Sequence, residues 1–232
     1  MDSVNIKFIL NNDWFVSRDA LVFGVFEGDS GPCGINFKKE TIEENFHKVE
    51  RVFKSIKSHL EQGDFKAKFG EIYITYLFDD RSIAKMVAII GLGKKADFTE
   101  EKLRQAGSKI AQYMRDFGLN NFTTTIFGSP QMDAKIRFKS IIEGVALGLY
   151  KFDRYKSQPA NGDEKKISEV EFLFPENIEI NQPEWEDELN KSLSIISAVY
   201  LSRNLANNPA SVVTHKFLAQ TARNISKSSA AF

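Results

Sequence analysis

One cysteine, Cys33, stands among 232 residues, so no disulfide can form within the chain, which fits a reducing compartment. Long apolar runs are equally scarce. The longest, Met86 to Ile90 with Gly91 and Leu92 after it, falls far short of the roughly 20 residues that span a bilayer. The opening MDSVNIKFILNND lacks the basic start and continuous apolar stretch of a secretory signal. A cytoplasmic protein with no membrane partner is expected. Excess charge is missing too: 31 Lys plus Arg balance 31 Asp plus Glu. Strong sequence-independent binding of nucleic acid therefore has no electrostatic footprint in the total, although a local basic patch is compatible with it.

Motifs that carry chemistry are absent as well. Glu27-Gly28-Asp29-Ser30-Gly31-Pro32 is glycine-rich, but no Walker spacing or helix start follows, so it reads as a plain loop. Gly91-Leu92-Gly93 lacks the third glycine of a dinucleotide fingerprint, and the next helix starts too late to aim at a phosphate. No G-x-S-x-G elbow occurs, and Cys33 has no histidine near it in sequence, which makes it a buried or incidental thiol. His47 and His59 lie twelve apart, without the four-residue spacing of a metal-binding helix. The neighbouring acids Glu43-Glu44, Asp79-Asp80 and Glu100-Glu101 fall in turns or charged helices and read as solvated.

With 42% hydrophobic residues, the chain can bury one sizeable core. Strand signals recur at Val4–Leu10, Ala20–Phe26, Glu71–Phe78, Ile83–Ile90, Asn121–Phe127 and Ser168–Phe174. Ala20–Phe26 is apolar enough to be covered on both faces. The polar turn Asp79-Asp80-Arg81-Ser82 predicts an antiparallel hairpin between Glu71–Phe78 and Ile83–Ile90. Helical spacing occupies Thr41–Gln62, a run after Thr99 with the stripe Leu103, Ala106, Ile110, Met114 and Phe117, and Asp133–Tyr150. In the last of these, Gly144 and Gly148 predict close packing against the sheet. A long helix from Glu184 to Ala206, about 34 Å at 1.5 Å per residue, follows the connector Pro175–Pro183. Its stripe is Leu189, Leu193, Ile196 and Tyr200, widened by Ile195 and Val199. Alternating strands and helices around a mixed sheet give the α/β class.

Asn207-Asn208-Pro209 breaks the long helix, and 23 residues, Ala210 to Phe232, come after it, too few for a domain. The segment Arg203 to Thr214 (RNLANNPASVVT) resembles the entry to the catalytic domain of the leucine (cytosol) aminopeptidase family, departing from it at His215, where the family has proline. Val87 to Lys95 (VAIIGLGKK) resembles that family's strand and glycine turn, and Glu143 to Lys156 (EGVALGLYKFDRYK) its end-of-domain helix. Together the resemblance covers roughly residues 65 to 225.

It implies a macro-domain-like sheet flanked by helices over residues 1–182, a linker helix over 183–206, and the truncated start of a catalytic domain over 207–232. For the complete family enzyme it implies two divalent metals (Zn, Mn or Mg) that release amino-terminal residues from peptides in a hexamer. The family's metal and catalytic stretches, K-G-x-x-F-D-S-G-G and N-T-D-A-E-G-R, do not occur here. No residue of this chain is therefore given a catalytic, metal-binding or cofactor-binding role, and peptides are expected to meet only the absent catalytic domain. Two other readings stand beside this one: an assembly partner docking through the long helix, and a macro-like module holding a ligand such as ADP-ribose. Residues 207–232 have little apolar surface to bury and are expected to fray or to pack opportunistically.

Overall fold

The computed structural model describes residues 6–11, 18–33, 54, 56–63, 65–76, 84–156, 165–174 and 181–228. Six strands, β1 (Lys7–Asn11), β2 (Arg18–Val25), β3 (Ile72–Tyr76), β4 (Ala84–Gly91), β5 (Asn121–Thr125) and β6 (Glu169–Leu173), form one sheet in the order β1-β6-β5-β2-β4-β3. Five of them run parallel, while β3 pairs antiparallel with β4, with Ile72 opposite Ile90 and Tyr76 opposite Met86. This is the mixed sheet and the hairpin that the alternation predicts. Residues 77–83, which join the pair, lie outside the described residues, as do Val4, Asp79-Asp80 and most of Thr41–Gln62.

The central strands are apolar on both sides because both sides are covered. On β2, Ala20 and Val22 face one core while Leu21, Phe23 and Val25 face the other. Helices α1 (Glu100–Phe117), α2 (Ala134–Leu149) and α3 (Gln182–Asn207) supply the larger core. Ile56 and Leu60, from the helical residues 56–62, reach the smaller one together with Phe65.

Local chemistry fixes where the helices begin. The Thr99 hydroxyl accepts from the Lys102 amide at the start of α1, and Asp133 accepts from the amides of Lys135 and Ile136 at the start of α2. Helix α3 begins at Gln182, two residues before the expected start, with proline in its first turn, where the missing N–H costs nothing.

Two expectations need correction. Gly144 and Gly148 pack against α1 and not against the sheet. A Cβ at Gly144 would stand 2.1 Å from the Arg104 carbonyl oxygen, and one at Gly148 would stand 2.3 Å from Ser108 Oγ. Across the same seam, Arg104 Nε donates to Glu143 at 2.6 Å, so the bulk of the arginine is accommodated by pairing its charge. Phe117, expected on the buried stripe of α1, is 45% exposed, because the last turn runs past the edge of the sheet.

Glycine at 144 is thus a steric requirement of the helix pair. Gly144→Ala is expected to lower unfolding free energy by about 2 kcal/mol, whereas Gly31→Ala, with nothing within 4 Å of its Cβ, should change it by less than ~0.5 kcal/mol. Urea unfolding followed by circular dichroism measures both.

Candidate functional site

In open α/β sheets, ligands gather beyond the carboxyl ends of strands where the connections diverge. Here that point lies between β2 and β5, and the chain's own side chains occupy it. The Gly128 amide donates to Cys33 Sγ at 3.3 Å, and the Cys33 amide donates to the Gly24 carbonyl at 2.9 Å. A Cβ on Gly24 would be 2.8 Å from the Phe127 ring. Arg137, buried beneath the loop after β5, donates to the Ile126 carbonyl. Burial pushes the Cys33 thiol up to about 11, which disfavours the reactive thiolate.

The acids and histidines considered from sequence are not brought together. Glu100 and Glu101 both reach Arg104, at 3.6 and 3.3 Å. The ring of His59 meets the Tyr73 hydroxyl, 2.9 Å from Nδ1. His47, Glu43-Glu44 and Asp79-Asp80 lie outside the described residues. Among the described residues, no group of three or more His, Cys, Asp or Glu could hold a metal ion.

Polar side chains converge instead where α2 ends against α3. A helix leaves its last four carbonyls without intrahelical partners, and neighbours supply donors for three of those in α2. Tyr200 donates to the Ala146 carbonyl at 2.5 Å, Arg203 Nη1 to Leu147 at 3.0 Å, and Gln112 of α1 to Gly148 at 2.9 Å. One turn further, Tyr150 donates to Asn204 Oδ1 at 2.7 Å and Asn207 donates to the Tyr150 hydroxyl at 3.1 Å. The Arg203 guanidinium lies 5.2 Å from the centroid of the Tyr150 ring, and Tyr150 and Tyr200 meet edge-on at 5.0 Å. Desolvation at this seam raises the Tyr200 phenol to about 12.

At its other end, α3 is held by Trp185, which meets Phe138 at 5.3 Å and Phe174 at 4.7 Å edge-on, contacts that add about 0.5–1.5 kcal/mol each beyond their buried area. The helix closes at Asn208, whose ψ of 145° is the extended conformation a residue before proline prefers. Helix α4 (His215–Ser228) follows, ordered as a helix but with none of its described residues buried.

The junction therefore joins the segments Glu143–Lys156 and Arg203–Thr214, far apart in sequence. The profile of the cytosol aminopeptidase family, N-terminal domain, matches residues 22–159. The chain belongs to the cytosol aminopeptidase family. Among curated relatives, a probable cytosol aminopeptidase of Gloeothece citriformis is 29% identical over 89% of this chain and 38% of its own length. Another, of a Geobacter species, is 29% identical over 96% of this chain and 42% of its own length. The chain thus spans about two fifths of these cytosol aminopeptidases. In fold, it is similar to a tomato leucine aminopeptidase mutant, with a TM-score of 0.72 at 19% identity over 98% of this chain and 43% of that one. It is also similar to the bottromycin maturation enzyme BotP in complex with Mn, with a TM-score of 0.62 at 19% identity over 91% and 36%.

Sequence reading located both halves of the junction but not their bonding. Gln112 and Tyr200 were invisible as partners, since nothing local marks a donor for a carbonyl 36 or 54 residues away. Tyr200→Phe is expected to lower unfolding free energy by about 1–2 kcal/mol, because it strands a buried carbonyl. The raised phenol pKa adds a pH signature: the folded state disfavours the phenolate, so this contribution is intact below pH ~10 and is lost as pH rises from ~10 to about 12. Denaturation in parallel on wild type and Tyr200→Phe should show the variant losing less stability over that interval.

Proposed function

We propose that this chain is the amino-terminal, non-catalytic part of a leucyl aminopeptidase-like metallo-exopeptidase, and that its task is to hold the segment after α3 in a fixed orientation. The observation that carries this reading is the hydrogen-bonded junction between the two family segments, where Tyr200, Arg203 and Asn204 are fixed against residues 146–150. Under it, residues 1–182 are the amino-terminal domain, 183–206 the linker helix, and 207–232 the opening of a catalytic domain. There, two divalent metals (Zn, Mn or Mg) would release amino-terminal residues from peptides, within a cytoplasmic homo-oligomer. The described residues do not offer a donor set for those metals, so no step of hydrolysis is assigned to them. The exposed Leu218 and Ile225 of α4 support a segment that packs on a further body.

Purified chain with Mn²⁺ or Zn²⁺ and a leucine amide substrate is expected to give no hydrolysis above a metal-only control. Turnover that copurifies with the chain, with contaminating peptidase excluded, overturns the reading.

A second reading, an assembly partner of full-length relatives, is favoured by Ile195, 43% exposed on the side of α3 away from its buried Ile196. Co-expression with a full-length relative followed by size-exclusion chromatography tests it. Co-elution that Ile195→Asp abolishes supports it, and a monomeric, unassociated chain contradicts it.

A further inference from the structure

The outward side of α1 carries a stripe that the packing of the domain does not use. Lys102, Lys109, Tyr113 and Phe117 follow at intervals of seven, four and four residues, which keeps them on one side of a helix, beside the buried Leu103, Ile110 and Met114. The first two ammonium groups lie over the Phe69 ring, 5.8 and 5.6 Å from its centroid. Such contacts hold cations in place. Phe69 follows Lys68 and packs against Gly93, whose neighbour is Lys94. Four lysines thus gather at one end.

At the other end, Tyr113 and Phe117 lie 6.3 Å apart with an interplanar angle of 16°, and Tyr76 of the edge strand β3 meets Phe117 at 6.5 Å. Tyr76, Tyr113 and Phe117 are 50%, 40% and 45% exposed. Three large rings left side by side in water mark a surface that something covers.

Ion pairing sharpens the contrast. The acids of α1 are taken up by its own arginines, Glu100 and Glu101 by Arg104, and Asp116 by Arg115. Among the described residues, Lys68, Lys94, Lys102 and Lys109 have no carboxylate partner. The balanced total charge conceals this local separation.

We propose that the stripe binds single-stranded nucleic acid, the lysine end neutralising phosphates and the exposed rings stacking on bases. Such ligands alternate anions with planar aromatic groups, and a groove of cations beside stacking rings is how proteins hold them without reading sequence. From Lys102 to Phe117 the helix rises about 22 Å at ~1.5 Å per residue, room for roughly four nucleotides, the low end of known site sizes. A duplex would keep its bases stacked away from the rings, and an acidic peptide would leave the rings without partners.

Fluorescence polarisation of the full chain with a labelled single-stranded oligothymidine of about 12 nucleotides tests this. Affinity is expected to fall with salt at a log–log slope of about −3, four phosphates at ~0.7 each. The Lys102→Glu, Lys109→Glu double variant should bind at least tenfold more weakly, with about half that slope. The Tyr113→Ala, Phe117→Ala double variant should lose about tenfold in affinity with the slope unchanged. Circular dichroism and melting curves check that each is folded, and Tyr113→Ala alone replaces the double variant should that one unfold. No polarisation change at low salt, equal affinity for a duplex or for polyglutamate, or undiminished binding by the ring variant overturns the proposal.

Discussion

The backbone carbonyls at the end of α2 must find donors, and the rest of the junction depends on that need. Helix α2 packs on α1 through Gly144 and Gly148 and on α3 through Tyr200, so water has little access to its last turn. A buried carbonyl without a partner costs roughly 1–3 kcal/mol. Three neighbouring side chains remove that cost, and two of them, Tyr200 and Arg203, belong to α3. The direction of α3 is thereby tied to the domain by hydrogen bonds with defined geometry, which apolar packing alone would leave free to slide.

The tight α1–α2 seam serves the same end. Because Gly144 lets the backbones approach, Gln112 is close enough to reach the Gly148 carbonyl. Trp185, wedged between Phe138 and Phe174, fixes the other end of α3 on the sheet. Two attachments fifteen residues apart determine a line, and a helix so held can carry orientation to whatever follows Asn208. For a cytosol aminopeptidase-family chain spanning about two fifths of its curated relatives, a mechanical role is what these residues are built for.

Much of this fold is legible in the sequence because its signals are local. The apolar run of β2, the capping Thr99, the β3–β4 hairpin and the pre-proline end of α3 each follow from neighbouring residues. What sequence obscures is long-range. The spacing of Gly144 and Gly148 shows that something comes close, but whether sheet or helix depends on which layer α2 joins. Phe117 continues the period of the α1 stripe, yet it is exposed because the sheet ends before the helix does. The absence of a metal-binding constellation could be read from missing motifs, while the polar junction could not, since Gln112 and Tyr200 find their partners only across helices.

Native-state hydrogen exchange of the amides in α3 tests the central claim most directly. If the α2–α3 junction sets the direction of the long helix, the amides of residues 200–206 should open with the same free energy as the core of α2, in one cooperative unit. Fast exchange of those amides at fraying rates, with α2 still protected, would contradict the account.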